Sequence, residues 1–354
     1  MGVTQGIVKD SDGNIICCYH CGSRNIHKSG FLYRANSKKQ QWKCLACGKK
    51  TVRPTILEKS PFKVEERDPD TIPIEDLINF RKKQYKQKKT SKENKKLVRI
   101  DINMDGPIGI AHFGDPHVDD DGTDLSQIIH YMTLINNTKG MFAGNLGDIQ
   151  NNWIGRLSAL YGQQSTSAKE SWRLTEYFVN KLNWLYLVAG NHDVWSGDGD
   201  PLDFIMRDHQ GLYEKWGARM RLVFPSGKEI TINARHTFKG NSIWNTAHGV
   251  AKAAQMGWSD NVLTCGHTHV SGYQVVKSPS SGLISHALQV ASFKIMDSYA
   301  DKLGLDDKNI FNCPVTIVDP RYDDDDNRLI TTIFNPETAC KYLTYLREDY
   351  VQKR

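Results

Sequence analysis

The feature that most constrains this chain is a series of apolar runs that stop on residues of metal-ligand type. Five such runs end, in order, on Asp115-Pro-His117, Gly147-Asp148, Gly190-Asn191-His192-Asp193, His236 and Gly266-His267-Thr268-His269. In open α/β sheets, sites assemble where the carboxyl ends of strands meet. Carboxylate and amide oxygens mixed with imidazoles suit divalent ions such as Mn2+, Fe2+ or Zn2+. The sequence therefore predicts a metal site built from strand ends.

The segments between these runs predict a layered α/β fold. Helical patterns cover Leu125–Asn136, Ala168–Leu182 and Pro201–Trp216, and the later part of the chain is mostly strands. This order favours a sandwich of sheets rather than a barrel. The sequence has no apolar stretch of about 18 residues, and its first residues lack the pattern of a signal peptide. We therefore expect a cytoplasmic protein that does not bind membranes.

Cysteines cluster near the N-terminus with the spacing of a metal site. Cys18 and Cys21 form one CxxC pair followed by glycine, and Cys44 and Cys47 form a second. Without a secretion signal, this spacing favours a tetrahedral zinc site over disulfides. Cys17 competes with Cys18, but the two-residue spacing favours Cys18. So short a segment needs the metal for its folding energy, and it resembles the zinc ribbons of transposases and other nucleic-acid-handling proteins.

Charge is distributed unevenly along the chain. The net charge of +6 combines about +13 in residues 1–99 with about −7 in residues 100–354, and residues 81–99 hold ten Lys or Arg against one Glu. We interpret residues 56–99 as a basic linker or helical arm, with a helix starting near Ile74. Such an arm favours contact with nucleic acid, although a charge run is more often a solvated linker.

The ordered set D-x-H, GD, GNHD, H and GHTH resembles the motifs of the calcineurin-like metallophosphoesterase family, over roughly residues 105–320. The resemblance implies a metal-dependent phosphoesterase with a four-layer β-sandwich flanked by helices. The expected order of domains is a zinc ribbon at 1–55, the basic arm at 56–99 and the metallophosphoesterase domain at 100–354.

The resemblance also implies a ligand set for two divalent ions. The first ion would take Asp115, His117, Asp148 and His269, and the second would take Asp148, Asn191, His236 and His267. Asp148 would bridge the two ions, because two ions about 3.5–4 Å apart need a shared carboxylate. His236 is the favoured ligand for the fourth motif because it ends a strand pattern. His248, among helix-compatible residues, is its competitor.

By the same resemblance, a hydroxide bridging the ions attacks phosphorus in line with the leaving oxygen. His192 would act as general acid and protonate that oxygen. Asp193 would hold His192 in the required tautomer and raise its pKa.

Two groups of polar residues near the motifs have open roles. Asn151, Asn152 and Arg156 follow the second motif and are candidates for binding substrate phosphate, although Arg156 is equally an ordinary surface residue. Asp119, Asp120 and Asp121 follow the first motif. We interpret them as an exposed acidic turn, with shaping of the site mouth or recruitment of a cation as the alternative.

The fold and the metal chemistry do not determine which phosphoester is cleaved. The second motif reads GDIQNN and lacks the Asp-Arg-Gly extension typical of Ser/Thr protein phosphatases. The ribbon and arm favour DNA or RNA as the substrate, and the combination is similar to phage-encoded phosphoesterases of the repair-exonuclease type, which would act in the host cytoplasm. A nuclease complex would require a protein partner.

Two other functions compete with this interpretation. One is a phosphodiesterase for small or cyclic nucleotides, or a phosphoprotein phosphatase, with the ribbon as an assembly module. The other is a nucleic-acid-binding protein without catalysis, against which the complete ligand set argues.

Overall fold

A computed structural model describes residues 8–11, 14–35, 37–56, 72–94, 96–195, 201–296, 304 and 309–353. The chain divides into two compact units, Met1–Arg81 and Lys82–Arg354. Helix α1 (Ile74–Asn94) confirms the helix expected to start near Ile74. Residues 57–71 of the predicted linker lie outside the described residues.

The first unit consists of short antiparallel strands around a very small core. Strand β1 (Ile16–Cys17) pairs with β5 (Thr55–Ile56), while β2 (Ile26–Arg34), β3 (Ser37–Cys44) and β4 (Lys50–Thr51) form a three-stranded sheet. Its buried apolar cluster consists of Ile16, Ile26 and Trp42. A core of this size stabilises a fold by only a few kcal/mol at most, so the unit needs an additional constraint.

Six strands of the second unit form its first sheet: β7 (Ile108–Phe113), β8 (Met141–Asn145), β9 (Trp184–Ala189), β10 (Leu212–Lys215), β16 (Val315–Val318) and β17 (Ile330–Ile333). Their spatial order is β10-β9-β8-β7-β16-β17. The first four are parallel, whereas β16 and β17 continue the sheet with antiparallel pairing. The carboxyl ends of β7, β8 and β9 therefore lie at one edge.

Six further strands form the second sheet: β6 (Val98–Asp101), β11 (Gly217–Val223), β12 (Glu229–Arg235), β13 (Val262–Cys265), β14 (Gly272–Lys277) and β15 (Ile284–Gln289). Their spatial order is β14-β15-β13-β12-β11-β6. Strands β12, β13 and β15 are parallel neighbours, so the residues that follow β12 and β13 also share an edge.

The two sheets pack face to face, with helices on their outer faces. In β7, Ile108 and Ile110 pack with side chains of the second sheet such as Met220, whereas Phe113 packs with the helices, as the two-residue period of a strand requires. The helices against the first sheet are α2 (Leu125–Asn137), α3 (Ala168–Asn180) and α6 (Pro336–Gln352), and α5 (His248–Met256) packs on the second sheet.

One predicted helix is wrong. The sequence pattern predicts a helix over Pro201–Trp216, but the structure has a short helix α4 (Pro201–Ile205), a 3-10 turn (Met206–Asp208) and then strand β10. Gly211 lies so close to β9 that a Cβ there would be 2.4 Å from the carbonyl oxygen of Trp184. The chain therefore leaves the helix and joins the sheet as an edge strand. The residues of β10 are all partly exposed, which explains the absence of a clear strand pattern.

We predict that Gly144→Ala destabilises the second unit by about 1–3 kcal/mol, because overpacking a filled core has this cost. A Cβ at Gly144 would lie 2.2 Å from the ring of Tyr186, which is buried and hydrogen-bonded to His112 at 2.6 Å. Urea unfolding measures the change. Gly162→Ala is the matched control, since its Cβ meets nothing within 4 Å. Equal unfolding midpoints for the two variants would contradict the packing described here.

Candidate metal centre

The four cysteine sulfurs of the first unit converge on one point. Cys18 Sγ lies 3.7 Å from Cys47 Sγ, Cys21 Sγ lies 3.6 Å from Cys44 Sγ, and all four sulfurs are within 4.8 Å of one another. A disulfide requires about 2.05 Å, whereas four sulfurs about 2.3 Å from one ion lie about 3.8 Å apart. The cluster could therefore hold a structural metal. Cys17 is buried in β1 and is not part of the cluster.

Both CxxC turns have the same backbone geometry. The Gly22 N–H donates to the Cys18 carbonyl and the Gly48 N–H donates to the Cys44 carbonyl, each at 2.9 Å. The two glycines have φ of 67° and 73°, a conformation that glycine adopts without a steric penalty. A hydrogen bond from the Cys47 backbone is the main cause that lowers the pKa of Cys44 to about 6. A hydrogen bond from the Ser23 backbone also lowers the pKa of Cys21, but the neighbouring sulfurs and burial outweigh it and raise that pKa to about 12. The turn backbone thus favours the thiolate form that binds metal, whereas the crowded sulfurs oppose it, as expected for thiolates with no cation between them.

Asp148 lies at the centre of the second candidate site, directly beyond β8. It belongs to two groups of ligand atoms that could each hold an ion, one with His117 and His192 and the other with His236 and His267. In each group the ligand atoms lie within 4.8 Å of one another. Four predicted ligands, His117, Asp148, His236 and His267, therefore meet at the shared edge of the two sheets, and His192, which was predicted to be the general acid, lies among them.

His236 organises the second of these groups. Its Nε2 lies 2.9 Å from both Asn191 Oδ1 and His267 Nδ1, and 3.3 Å from Asp148 Oδ2. Two ligands that are each about 2.1 Å from one ion lie about 3–4 Å apart, so these spacings fit a shared ion. The Nδ1 of His236 donates to the Leu146 carbonyl at 2.9 Å. Metal-binding histidines usually donate their other N–H in this way, because it directs the free lone pair at the ion.

The first group is His117, Asp148 and His192, and it does not include the predicted ligands Asp115 and His269. These two residues lie close to it, and several buried atoms there have no hydrogen-bond partner. Among the residues that the structure describes, Asp115 Oδ1 and both ring nitrogens of His117 have no hydrogen-bond partner. His269 Nε2 lies 3.7 Å from Asp115 Oδ2, and the His117 and His269 ring centroids are 5.2 Å apart. An unpartnered buried polar atom costs about 1–3 kcal/mol. A cation would satisfy these atoms together, so the donor set fits a divalent ion.

The electrostatics of the site point in the same direction. Burial raises the pKa of Asp115, and burial together with the charge of Asp148 raises the pKa of Asp193 to about 7. Burial lowers the pKa of His117. Burial also opposes charge on His236, but the hydrogen bond and charge of Asp148 outweigh it and raise its pKa to about 10. Burial also opposes charge on Asp148, but its hydrogen bond with His236 and the charges of His236, His192 and His117 lower its pKa. Asp115 and Asp193 are thus the carboxylates that lack positive charge, which a divalent ion would supply.

Backbone strain is concentrated at the same residues. Seven described residues other than glycine have positive φ, and six of them are predicted site residues: Asp115, His117, Asp148, Asn152, His267 and His269. Such backbone conformations cost roughly 1–3 kcal/mol each, and they persist only where the surrounding structure enforces them. A Cβ at Gly190 would lie 2.2 Å from Asp148 Oδ1, so the strand end leaves room only for glycine.

His192 is oriented by a backbone carbonyl. Its Nδ1 donates to the Asn151 carbonyl at 2.6 Å, and its Nε2 lies 4.0 Å from Asp148 Oδ2. The ring packs against two indoles, with centroid distances of 4.1 Å to Trp195 and 5.4 Å to Trp153. The ring is thus held at the site, with Nε2 directed at the ligand cluster.

Asp193 does not make the contact predicted from the sequence. Its oxygens accept hydrogen bonds from three backbone N–H groups: Oδ2 from Asp148 at 2.7 Å and Gly190 at 2.8 Å, and Oδ1 from Ile149 at 3.0 Å. The predicted role of Asp193 in orienting His192 is therefore corrected. Asp193 instead joins the loop after β9 to the loop after β8, because these donors are unpaired where the strands end.

The prediction of an exposed acidic turn holds for Asp121 and is wrong for Asp119 and Asp120. Asp119 is buried and accepts from the Asn151 N–H at 2.8 Å, while Asp120 accepts from Asn151 Nδ2 at 2.8 Å and pairs with Lys294 at 3.0 Å. Asp121 is exposed and accepts from the Ser165 N–H. The first two carboxylates therefore hold Asn151, whose carbonyl orients His192.

The remaining candidates have different positions. Asn152 donates to the His192 carbonyl at 2.7 Å, so its amide supports the loop. Arg156 is exposed on a 3-10 helix (Gly155–Gln163). His248 begins helix α5 and belongs to neither group of ligand atoms, whereas His236 belongs to one.

Sequence reasoning missed three contributions to the site. Trp153 and Trp195 follow the second and third motifs closely, and aromatic residues so near two motifs were an available signal. The orienting role of the Asn151 carbonyl had no sequence signal, because every residue carries a carbonyl.

Comparisons with known proteins add little to these observations. No protein-family model and no curated protein matches the chain. Among solved structures, it is similar to GAP50, the anchor in the inner membrane complex of Plasmodium, with a TM-score of 0.33 and 12% identity over 65% of this chain and 84% of that chain. A similarity of this degree carries no argument about fold or function. Within the described residues, every helix is too short or too polar to cross a membrane.

We predict that Cys47→Ala removes one equivalent of bound metal from the full chain and that Cys17→Ala does not. The reason is that Cys47 Sγ completes the sulfur cluster, whereas Cys17 lies outside it. Elemental analysis measures the stoichiometry, and thiolate charge-transfer absorption of the cobalt-substituted protein reports this site specifically. Loss of metal from the Cys17 variant, with retention in the Cys47 variant, would refute the assignment.

A second pair of variants tests the histidine choice. We predict that His236→Ala weakens Mn2+ binding by more than the roughly 10–100-fold typical of losing an outer-shell partner, because its Nε2 faces three other ligand atoms. His248→Ala, the control, leaves Mn2+ binding unchanged. Isothermal titration calorimetry measures both, and equal effects would show that His236 has no special role.

Proposed function

We propose that this chain is a two-metal phosphoesterase of the calcineurin-like metallophosphoesterase type and that it hydrolyses phosphodiester bonds. The observation that carries the proposal is the position of Asp148, which belongs to two groups of possible ligand atoms, one with His117 and His192 and the other with His236 and His267. His192 Nε2 lies 4.0 Å from Asp148 Oδ2, and we assign this side chain to proton transfer rather than to an ion. The two facing sheets with helices on their outer faces agree with the four-layer sandwich that the motifs imply.

The proposed ligands divide between the two halves of the site. Asp115, His117 and His269 would hold one ion, Asn191, His236 and His267 would hold the other, and Asp148 would contact both. Divalent ions bound there would supply Lewis-acid activation of a phosphoryl oxygen and of the attacking water. Imidazole, amide and carboxylate ligands suit Mn2+, Fe2+ or Zn2+. The four-cysteine cluster would hold Zn2+, because four thiolates at these spacings are typical of structural zinc.

His192 would deliver the proton that the leaving oxygen requires. Its Nδ1 is committed to the Asn151 carbonyl, so a proton on Nε2 is the one available to substrate. The indoles of Trp153 and Trp195 pack against the ring, and the His192 side chain is 16% exposed. General-acid catalysis of this kind typically contributes about 10²–10⁴-fold to the rate.

Nucleic acid is the proposed substrate class. The support is the basic character of the N-terminal part of the chain, where residues 1–99 carry a net charge of about +13. Lysine and arginine contacts to phosphates supply affinity that does not depend on sequence. A phosphodiesterase for small or cyclic nucleotides would use the same metal chemistry without needing these charges.

The test of catalysis uses two substrates whose leaving groups differ in their need for a proton. With Mn2+ added, we expect Asp148→Asn to abolish hydrolysis of both oligonucleotides and bis-p-nitrophenyl phosphate. We expect His192→Asn to slow oligonucleotide hydrolysis by about 10²–10⁴-fold and to affect the nitrophenyl ester much less, because nitrophenolate leaves without protonation. His130→Asn, at an exposed ion pair with Glu337, is the control.

Each outcome has a separate meaning. Full activity of Asp148→Asn would refute the metal mechanism. An equal loss on both substrates for His192→Asn would refute the role of His192 as general acid. Turnover of cyclic nucleotides far faster than DNA or RNA by the wild-type chain would refute only the substrate class.

A further inference from the structure

Two aromatic side chains are exposed side by side on the hairpin of the first unit. Phe31 and Tyr33 in β2 are 49% and 69% exposed, and their ring centroids are 6.4 Å apart. They are two residues apart on one strand, so they project from the same face of the sheet. A pair of adjacent exposed rings is a candidate contact surface rather than the scattered apolar residue that surfaces normally carry.

The strand register explains why this face is aromatic. One extra residue in β2 between Lys28 and Phe31 shifts the pairing, so Lys28 lies opposite Trp42 and Phe31 opposite Gln40. Trp42, Phe31 and Tyr33 therefore share one face. At the Trp42 end this face forms the small core of the unit, and at the other end it continues into solvent. We call the exposed end, consisting of Phe31, Tyr33 and Lys38, the aromatic face.

Positive charge accompanies the rings. Lys38 lies opposite Tyr33 in the hairpin, and its Nζ is 4.3 Å from the Phe31 ring centroid and 5.7 Å from that of Tyr33. Residues 24–53 contain nine Lys or Arg and no Asp or Glu. No acidic side chain within this stretch neutralises them, so the hairpin carries the charge that complements a polyanion.

We propose that the aromatic face binds single-stranded nucleic acid, with bases stacked on Phe31 and Tyr33 and phosphates contacted by Lys38 and its cationic neighbours. Stacking platforms interleaved with lysines are the arrangement that single strands require. Lys38 has a flexible, exposed side chain. Its ammonium can therefore move off the aromatic rings and contact a phosphate when a base stacks on them. An acidic peptide would use the charge but would leave the two rings without a stacking partner.

The rings determine the preference for single strands. In a duplex the base faces are stacked on each other, so only unpaired bases can stack on Phe31 and Tyr33. Contacts from lysine to phosphate serve duplex and single strand alike. The inference rests on the proposed function only where it treats the bound single-stranded nucleic acid as the substrate. Binding itself needs no catalysis.

The test measures binding by the full chain without added Mn2+. A labelled oligothymidylate and a labelled duplex of equal charge are titrated by fluorescence anisotropy. We expect Phe31→Ala and Tyr33→Ala each to weaken binding of the single strand by at least about fivefold and binding of the duplex by less than twofold. Tyr345→Ala, at a similarly exposed tyrosine on α6, is the control and leaves both affinities unchanged.

Conservative variants separate stacking from folding. Tyr33→Phe keeps the ring and should bind the single strand as wild type does. Phe31→Leu keeps an apolar side chain in the strand but removes the ring, and it should bind as weakly as Phe31→Ala. Metal content of the cysteine cluster reports whether the hairpin is folded in each variant.

Three results would overturn the proposal. They are unchanged affinity in both alanine variants, equal losses for duplex and single strand, and competition by polyglutamate as effective as that by oligothymidylate. Hydrolysis of bis-p-nitrophenyl phosphate is measured in parallel and should stay unchanged in every hairpin variant. Absent hydrolysis in the wild type refutes the proposed function without affecting the binding result.

Discussion

The arrangement of the second unit depends on electrostatic balance at one edge of its two sheets. Asp115 and Asp148 are almost completely buried there, and a buried carboxylate requires compensating positive charge. The compensating groups nearest to these carboxylates include imidazoles, with His236 Nε2 at 3.3 Å from Asp148 and His269 Nε2 at 3.7 Å from Asp115. Imidazoles carry charge only when protonated, whereas a divalent cation balances the carboxylates while the histidines stay neutral and bind it.

The fold supplies the rigidity that this cluster needs. The core between the sheets fixes the ends of β8 and β12, and Asp193 ties three backbone N–H groups beyond β8 and β9 to one carboxylate. These contacts hold Asp148 at a positive φ that an isolated turn would relax. Backbone strain, burial and ligand atoms without a hydrogen-bond partner therefore coincide at the residues proposed to hold the ions.

The sequence predicts the parts of this structure that depend on local spacing. The cysteine knuckles and the polar ends of the apolar runs are visible because ligand and turn residues lie within a few positions of each other. The strand at Leu212–Lys215 was missed because an edge strand of intermediate burial has no distinct periodicity. Its pairing with β9 is a tertiary effect that overrides local propensity.

The partners of His192 and Asp193 illustrate a second limit. An aspartate directly after a histidine suggests a pair, yet Asp193 accepts from backbone N–H groups and His192 donates to the Asn151 carbonyl. Main-chain donors and acceptors are the same at every position, so the sequence does not mark which of them remain unpaired. Only the three-dimensional path of the strand ends identifies these contacts.

The most direct test of the account is anomalous diffraction from crystals of the full chain soaked in Mn2+. The account predicts two manganese peaks about 3.5–4 Å apart, with an oxygen of the Asp148 carboxylate between them and His117 and His236 on opposite ions. Absence of manganese at this edge, or one ion that leaves the ring nitrogens of His117 without a ligand or hydrogen bond, would contradict it.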